Sequence, residues 1–506
     1  MESVGMDKNN KKNIQLWVVI SSLTLIFAAG SFLRIYGLGS ESLALDEFHS
    51  LETSDDSIGS ILIGRPLVTN PPLYFVCLRI WVEMFGNSDT AIRSISVVFG
   101  ILSILAVFML GCTIFDKKTA LLCSFLSAFS LYYIEYSQEA RPYPLFLLLS
   151  LLSMTAFVNV LKKGRKQDYI FGAVTNVLMV YSHNYGLFIV AAQVLFLILH
   201  FKTYRPKMKN LVLMFGATGI LSTPLFLFLY SGSNRIDTIL AWIKKPSLKS
   251  IFDLAVTFSG KSLVLTFIFL SLILSVFIRI DLRRIYALFI KKKNGKISVP
   301  GSNQRINLNL IILWLLTPIA LSFIISWTII PIFHSRYFIG CSGAFYLLTA
   351  RGLSRLHPKK FLFPVLLIIL ISAYFPIKES LTKYDKIPWE KISIFIERHY
   401  QESDIIFLQP GYIQIAFERY YHSTADFIRI HRGLESESKM QKFMQRNLRK
   451  RERIWLVKRF EPFPFLMDSY LRRLFGEESL VMQKEFPGVM VYLFDIKNKD
   501  ADWLNH

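Results

Sequence analysis

Apolar residues in this chain come mostly in long runs rather than in strict alternation. Along roughly the first 380 residues, stretches long enough to cross about 30 Å of hydrocarbon as helices recur, and about eleven can be read. They fall near 14–35, 91–115, 119–136, 143–161, 168–182, 185–201, 210–231, 262–280, 307–329, 338–354 and 361–378, the fifth and sixth nearly fused at Ser182-His183-Asn184. Between the first two lies a segment from Gly37 to Thr90 that is long for a plain connection. Asp55-Asp56-Ser57 predicts the start of a short helix through Ile63, and Pro72 suits the first position of a second helix reaching Phe85. In the latter, Leu73, Val76, Ile80 and Met84 share one apolar face, and a helix of about fourteen residues is too short to span, so it is expected to lie in the interface plane. From about Ser380 the pattern changes. Short apolar runs at Ile405-Ile406-Phe407-Leu408, Ile454-Trp455-Leu456-Val457 and Val489-Met490-Val491-Tyr492-Leu493-Phe494 alternate with amphipathic stretches such as Trp389 to Tyr400. The expected organisation is a polytopic α-helical membrane domain over 1–379 and a small soluble α/β domain over 380–506, the latter without a Gly-rich phosphate loop, repeat or catalytic motif.

Composition supports the membrane reading, since 53% of the 506 residues are hydrophobic and 43 are Phe. A net charge of +22 would suggest nucleic acid in a soluble protein, but its distribution gives another answer. Basic residues sit before the first apolar segment (Lys8, Lys11, Lys12) and then in alternate connections: Lys117-Lys118, Lys162-Lys163 with Arg165-Lys166, Lys202 to Lys209, Arg279 to Arg305, and Arg351 to Lys360. By the positive-inside rule these connections and the N-terminus are cytoplasmic, and nucleic acid is not an expected partner. An odd number of spans then places the C-terminal domain outside, together with Asp46-Glu47. The first apolar run is of span length and lacks a small-residue cleavage pattern, so it is expected to remain as an anchor in the plasma membrane. The basic run Lys291-Lys292-Lys293-Asn294-Gly295-Lys296 reads as a solvated linker facing anionic lipid headgroups. Cys77, Cys112, Cys123 and Cys341 lie in or beside apolar segments with no CxxC spacing, which points to buried thiols.

Polar residues gather at the outward ends of the apolar segments. The clusters are Leu45-Asp46-Glu47 with His49 and Ser50, Asn70-Pro71-Pro72-Leu73-Tyr74, Tyr136-Ser137-Gln138-Glu139-Ala140-Arg141-Pro142-Tyr143, Tyr181-Ser182-His183-Asn184-Tyr185, and His334-Ser335-Arg336-Tyr337. Adjacent carboxylates beside hydrocarbon are costly unless a cation, a proton donor or water meets them, although the same pair also suits a helix cap. The set fits group transfer from a phosphate-bearing lipid. A carboxylate can serve as general base on a hydroxyl, while guanidiniums take a leaving phosphate bidentately. Arg141 and Arg336 are the natural phosphate clamps. Their bland alternatives are pairing with Glu139 and interfacial anchoring. His183 reads as a hydrogen-bonded interfacial residue or a metal ligand. The segment Ser231 to Lys261, with Trp242 and Lys244-Lys245-Pro246, is a candidate cap over the site.

The order Leu33-Arg34-Ile35, Gly37-Leu38-Gly39, Leu45-Asp46-Glu47, Asn70-Pro71-Pro72-Leu73-Tyr74, Ser137-Gln138-Glu139-Ala140-Arg141-Pro142-Tyr143 and Ser335-Arg336-Tyr337-Phe338 resembles the GT-C superfamily. More narrowly, it is similar to the bacterial and archaeal membrane glycosyltransferases related to protein O-mannosyltransferases and aminoarabinose transferases. The resemblance implies a GT-C fold and an inverting hexosyl- or pentosyltransferase of the cell envelope. Its donor would be a polyprenyl-phosphate sugar, and its acceptor a hydroxyl of a glycan, lipid or protein on the outer membrane face. It also implies Asp46 as catalytic base, Glu47 and Glu139 as further acidic residues of the catalytic set, and Arg141, Arg336 and Tyr337 as the grip on donor phosphate. His49, Asn70, Tyr74 and His183 would line the site. Many relatives carry His, or Glu-Lys, where this chain has Thr69-Asn70. Neither Thr nor neutral Asn is a strong ligand for a transition metal, so a divalent cofactor, if used, would fall to Asp46, Glu139 and His183.

A transporter or flippase of lipid-linked saccharides also predicts many spans and outward polar clusters. It further calls for ionisable or helix-breaking residues near the midplane of several spans, often in paired halves. Pro224 is the plainest interior break, and no repeat is visible.

Overall fold

The computed structural model of the chain describes residues 8–63, 71–231, 240, 242–290, 302–356, 358–383, 386–431, 437–448, 451–461 and 466–497. The basic linker at 291–296 and the Thr69-Asn70 pair lie outside the described residues. The chain divides into two compact units, Met1–Leu38 with Thr53–Thr382, and Gly39–Glu52 with Lys383–His506.

The first unit is helical. Its first helices are α1 (Lys8–Ile35), α2 (Leu45–Ser54, most of which belongs to the second unit), α3 (Ile58–Ile63), α4 (Leu73–Phe85), α5 (Asp89–Ile114), α6 (Lys117–Ala128), α7 (Leu131–Ser137), α8 (Tyr143–Lys162), α9 (Lys166–Ser182) and α10 (Gly186–Leu199). Among the described residues the longer helices that follow are Met208–Ser231, Leu248–Phe258, Leu263–Ile290, Ser302–Thr328, Ile339–Ser354 and Leu362–Thr382. All of the apolar runs are thus helical. By length and composition five described helices can cross a membrane, or seven if each of two sharply bent pairs is one span. The structure therefore gives a multi-pass helical bundle rather than a fixed count of eleven crossings. The run at 119–136 is interrupted, because Ser130 caps a new helix through the hydrogen bond from the Tyr133 amide at 3.2 Å.

Burial sorts the helices. The apolar window of α1 is 6% buried and that of α8 89% buried, so α1 is peripheral and α8 central. Both are apolar on every side, so it is the helices packed around α8, not its composition, that place it inside. Close packing of helix Ile339–Ser354 depends on small residues: a Cβ on Gly340 would clash with the Phe146 ring of α8, and one on Gly352 with the Leu272 carbonyl oxygen of helix Leu263–Ile290. On α4 the buried residues are Tyr74, Phe75 and Leu78, whereas Ile80 and Met84 of the predicted apolar face stay exposed. Both sides of α4 are apolar, so one packs inward while the other suits lipid. Trp81 Nε1 donates to Ser94 Oγ at 2.9 Å and ties α4 to α5.

The second unit is built on a five-stranded sheet of order β2-β1-β3-β5-β4, with β1 (Asp404–Gln409), β2 (Asp426–Arg429), β3 (Arg453–Arg459), β4 (Leu480–Phe486) and β5 (Val489–Asp495). Strand β1 runs parallel to β2 and β3, while β3–β5 and β4–β5 are antiparallel. Ile405, Phe407, Ile454, Leu456 and Phe494 pack one face against Met440, Met444, Met467, Leu471 and Phe475 from helices Glu437–Asn447 and Met467–Phe475. Buried Asp404 accepts from Arg453 Nε and Nη2, both at 2.7 Å, and from Trp455 Nε1 at 2.9 Å.

Candidate functional site

In the first unit the turn from α7 to α8 places Arg141. Its amide donates to the Glu139 carbonyl at 2.8 Å, and Pro142 and Pro144 open α8. Tyr74 of α4 bonds Ser96 of α5 through their hydroxyls at 2.9 Å, and Ser96 donates to the Arg141 carbonyl at 3.2 Å. Helix α4 is thereby tied to the backbone that presents Arg141. Far along the chain, the single turn Ser335–Phe338 presents Arg336 and Tyr337, with the Tyr337 amide donating to the His334 carbonyl at 3.0 Å.

The two turns converge on Tyr143, which is fully buried. The Arg141 guanidinium carbon lies 5.7 Å from the centre of that ring, and that of Arg336 lies 5.8 Å from it. Arg336 also lies 5.5 Å from the Tyr337 ring centre and 5.1 Å from that of Trp242. Aromatic faces attract guanidinium and hold its plane. Trp242, read above as part of a candidate cap, therefore covers the second arginine. Arg141 is 6% exposed, so this positive charge is largely withdrawn from water.

His183 sits in the turn between α9 and α10, 3% exposed. Its ring stacks on Phe146 with centroids 4.8 Å apart and meets Tyr337 at 5.3 Å and Tyr143 at 6.0 Å. Burial, reinforced by the Arg141 and Arg336 charges, lowers its pKa to about 3. The ring is neutral at physiological pH. Nδ1 accepts the Tyr185 amide hydrogen at 3.1 Å, which leaves the ring hydrogen on Nε2.

The remaining candidates separate by place. Glu139 is half-buried in the Arg141 turn. Tyr74 is buried and acts through Ser96. His49 is exposed and faces Glu52 at 3.6 Å on the same helix, and Asn70 lies outside the described residues. Asp46 and Glu47 belong to the second unit. Both open α2, with Asp46 half-exposed and Glu47 buried. Glu47 Oε2 accepts the Ala44 amide at 2.8 Å, closing the first turn as the acidic half of a capping box, and pairs with Lys386 Nζ at 3.0 Å. The same segment is held by the Leu43 amide donating to the Tyr420 hydroxyl at 2.8 Å and by edge-on packing of Phe48 on Tyr420. Lys386, Tyr420 and Ser96 carry no motif in the sequence, and only their packing marks them.

The first unit thus holds a bundle of apolar helices with an aromatic-framed arginine pair, and the second a small α/β fold. Residues 69–227 match the family model for dolichyl-phosphate-mannose-protein mannosyltransferases. Among solved structures the chain is similar to ArnT from Cupriavidus metallidurans in its apo state, with TM-score 0.63 and 10% identity over 96% of this chain and 98% of that one. The undecaprenyl-phosphate complex of that protein gives TM-score 0.60, 10% identity and coverage of 95% and 98%. An Archaeoglobus fulgidus oligosaccharyltransferase in complex with zinc and sulfate gives TM-score 0.53, 14% identity and coverage of 86% and 67%. Among curated proteins none matches the sequence. The chain has the GT-C fold of the membrane glycosyltransferases.

The archaeal neighbour holds zinc. Among the described residues, no three His, Cys, Asp or Glu side chains are grouped to hold one. Around His183 the donor set does not fit a cation. A ligating imidazole needs a free nitrogen, but Nδ1 is occupied by an amide and Nε2 bears hydrogen, with two guanidiniums nearby.

Proposed function

We propose that this protein is an inverting glycosyltransferase that takes a sugar from a polyprenyl-phosphate-linked donor and passes it to an acceptor hydroxyl on the extracytoplasmic face of the membrane. The observation that carries this reading is the convergence of Arg141 and Arg336, 195 positions apart in the chain, over one buried tyrosine. Two such cations in an aromatic frame suit a phosphate monoester or diester. The fold adds support, since a structure that shares it holds undecaprenyl phosphate.

In the proposed reaction the acceptor oxygen attacks the anomeric carbon opposite the phosphate. The bond from that carbon to the phosphate oxygen breaks, and its electron pair leaves on the polyprenyl phosphate. Asp46 takes the acceptor proton. Arg141 and Arg336 stabilise the charge that accumulates on the leaving phosphate, which is where preorganised donors lower a barrier most. Tyr337 and Tyr74 hold the arginines in place. Glu139 is the second acidic group, set by the Arg141 turn. Glu47 orients Asp46 by fixing the start of α2. No step passes through a metal ion.

The test is sugar transfer from a panel of polyprenyl-phosphate donors by the purified parent and by single variants. Asp46→Asn is expected to lower kcat by about 10²–10⁴-fold, the usual contribution of a general base. Arg141→Gln and Arg336→Gln are each expected to raise donor KM and cost roughly ten- to a hundredfold in kcat/KM. Unchanged transfer by Asp46→Asn would remove the base assignment. Lipid-linked saccharide movement across liposomes by a parent that transfers no sugar would instead establish a flippase.

A further inference from the structure

We propose that His183 is the third hydrogen-bond donor of the anion site, a neutral imidazole offering Nε2–H to a phosphate oxygen of the lipid-linked donor, and that it does not ligate a metal. The inference rests on the reading of Arg141 and Arg336 as the donor-phosphate clamp and assigns a chemical role to a ring that reading leaves unassigned.

Three observations support it. First, His183 Nε2 is buried and has no hydrogen-bond partner among the described residues. Buried polar atoms are nearly always satisfied, and one left open at a charged cluster marks a position that a ligand fills. Second, the Tyr185 amide occupies Nδ1 at 3.1 Å and so dictates that Nε2 is the donor. The turn Ser182-His183-Asn184 thus sets the tautomer through its own backbone. Third, the ring shares its neighbours with the guanidiniums. Tyr143 and Tyr337, which the His183 ring meets, are rings that Arg336 overlies, and Tyr143 lies under Arg141 as well. A protonated imidazole is disfavoured beside two guanidiniums, and a cation at Nε2 would meet the same repulsion together with the ring hydrogen. An oxyanion meets neither. A neutral donor adds direction without adding a third positive charge, which suits a site that must also release its phosphate product.

The experiment measures undecaprenyl phosphate binding to the detergent-solubilised full chain, with His183→Phe, His183→Gln, Arg141→Gln and the parent side by side. His183→Phe keeps a ring on Phe146 and removes the donor. It is expected to weaken binding about tenfold, the effect of one hydrogen bond to a charged group, with His183→Gln recovering part of the loss. Zinc added to the metal-free protein is expected to bind the parent and His183→Phe alike. Binding of undecaprenyl phosphate by His183→Phe at parental affinity would overturn the inference, as would zinc binding that disappears with the imidazole. Parental binding by Arg141→Gln would remove the clamp itself, so the two failures are distinct. A readout that needs no variant is the 15N spectrum of the parent labelled at histidine. One ring is expected in the Nε2–H form, with its Nε2 resonance moving on addition of undecaprenyl phosphate, and a resonance that stays in place also overturns the proposal.

Discussion

Asp46 and Glu47 are adjacent in sequence and chemically alike, yet the fold treats them differently. Glu47 is fully buried, with Oε2 shared between the Ala44 amide and Lys386, whereas Asp46 keeps contact with solvent. Removing one partner of a buried ion pair leaves an uncompensated charge, which costs about 3–5 kcal/mol. Lys386 is partly exposed, so the lower end of that range applies. Lys386→Met is expected to destabilise the chain by about 3 kcal/mol, read as a fall in thermal midpoint. Adding Glu47→Gln should restore most of the loss, and purely additive effects would show that the pair does not act as a unit. The sequence makes the acidic pair visible but not its division of labour, because the lysine that fixes Glu47 lies 339 positions away. The same holds for His183. Its neighbourhood in a polar turn is legible, but the atom facing Nδ1 is a backbone amide, and no residue type announces it.

At the scale of elements, long apolar runs, the helix near 72–85 and three of the five strands are readable from periodicity alone. What escapes has physical causes. Strand β2 is four residues long and half-exposed, and β4 carries Gln483, Lys484 and Glu485 in succession, so neither presents an apolar run. The break near Phe129-Ser130 hides inside an apolar stretch because a serine cap is invisible unless the turn it starts is known. The close approach of α8 to helix Ile339–Ser354 gives a test at this scale. Gly340→Val would press on the Phe146 ring, which stacks on His183. Overpacking of this kind costs about 1–3 kcal/mol. Gly340→Val is therefore expected to lower the thermal midpoint and raise donor KM together. Gly216→Ala, where an added Cβ meets nothing within 4 Å, serves as the control and should leave both near parental values. A Gly340→Val protein with parental donor KM would separate this packing from the site.

At the scale of the whole molecule, charge distribution carries the orientation. Basic residues occupy alternate connections, so the N-terminus is expected inside and the α/β unit outside. Externally added protease acting on intact spheroplasts should cleave an epitope placed at the C-terminus and spare one at the N-terminus, and the reverse pattern would invert every assignment of an outward site. The hydrophobic index of the chain announces a membrane protein at once, and its motif order announces the fold. Which residues group into units was not legible. The second unit gathers Gly39–Glu52 with everything from Lys383 on, two pieces separated in the sequence by every helix of the bundle after α1.

That discontinuity has a consequence for biosynthesis. During translation the Asp46 segment emerges among the earliest residues, yet Lys386 and Tyr420, which hold it, are made only after the last helix of the bundle. The segment must wait for its partners across most of the synthesis of the chain. A nascent or truncated chain ending at Thr382 would hold the arginine pair with an acidic helix lacking both the lysine and the tyrosine. Formation of the second unit is thereby made contingent on synthesis past Tyr420, however early its first piece emerges.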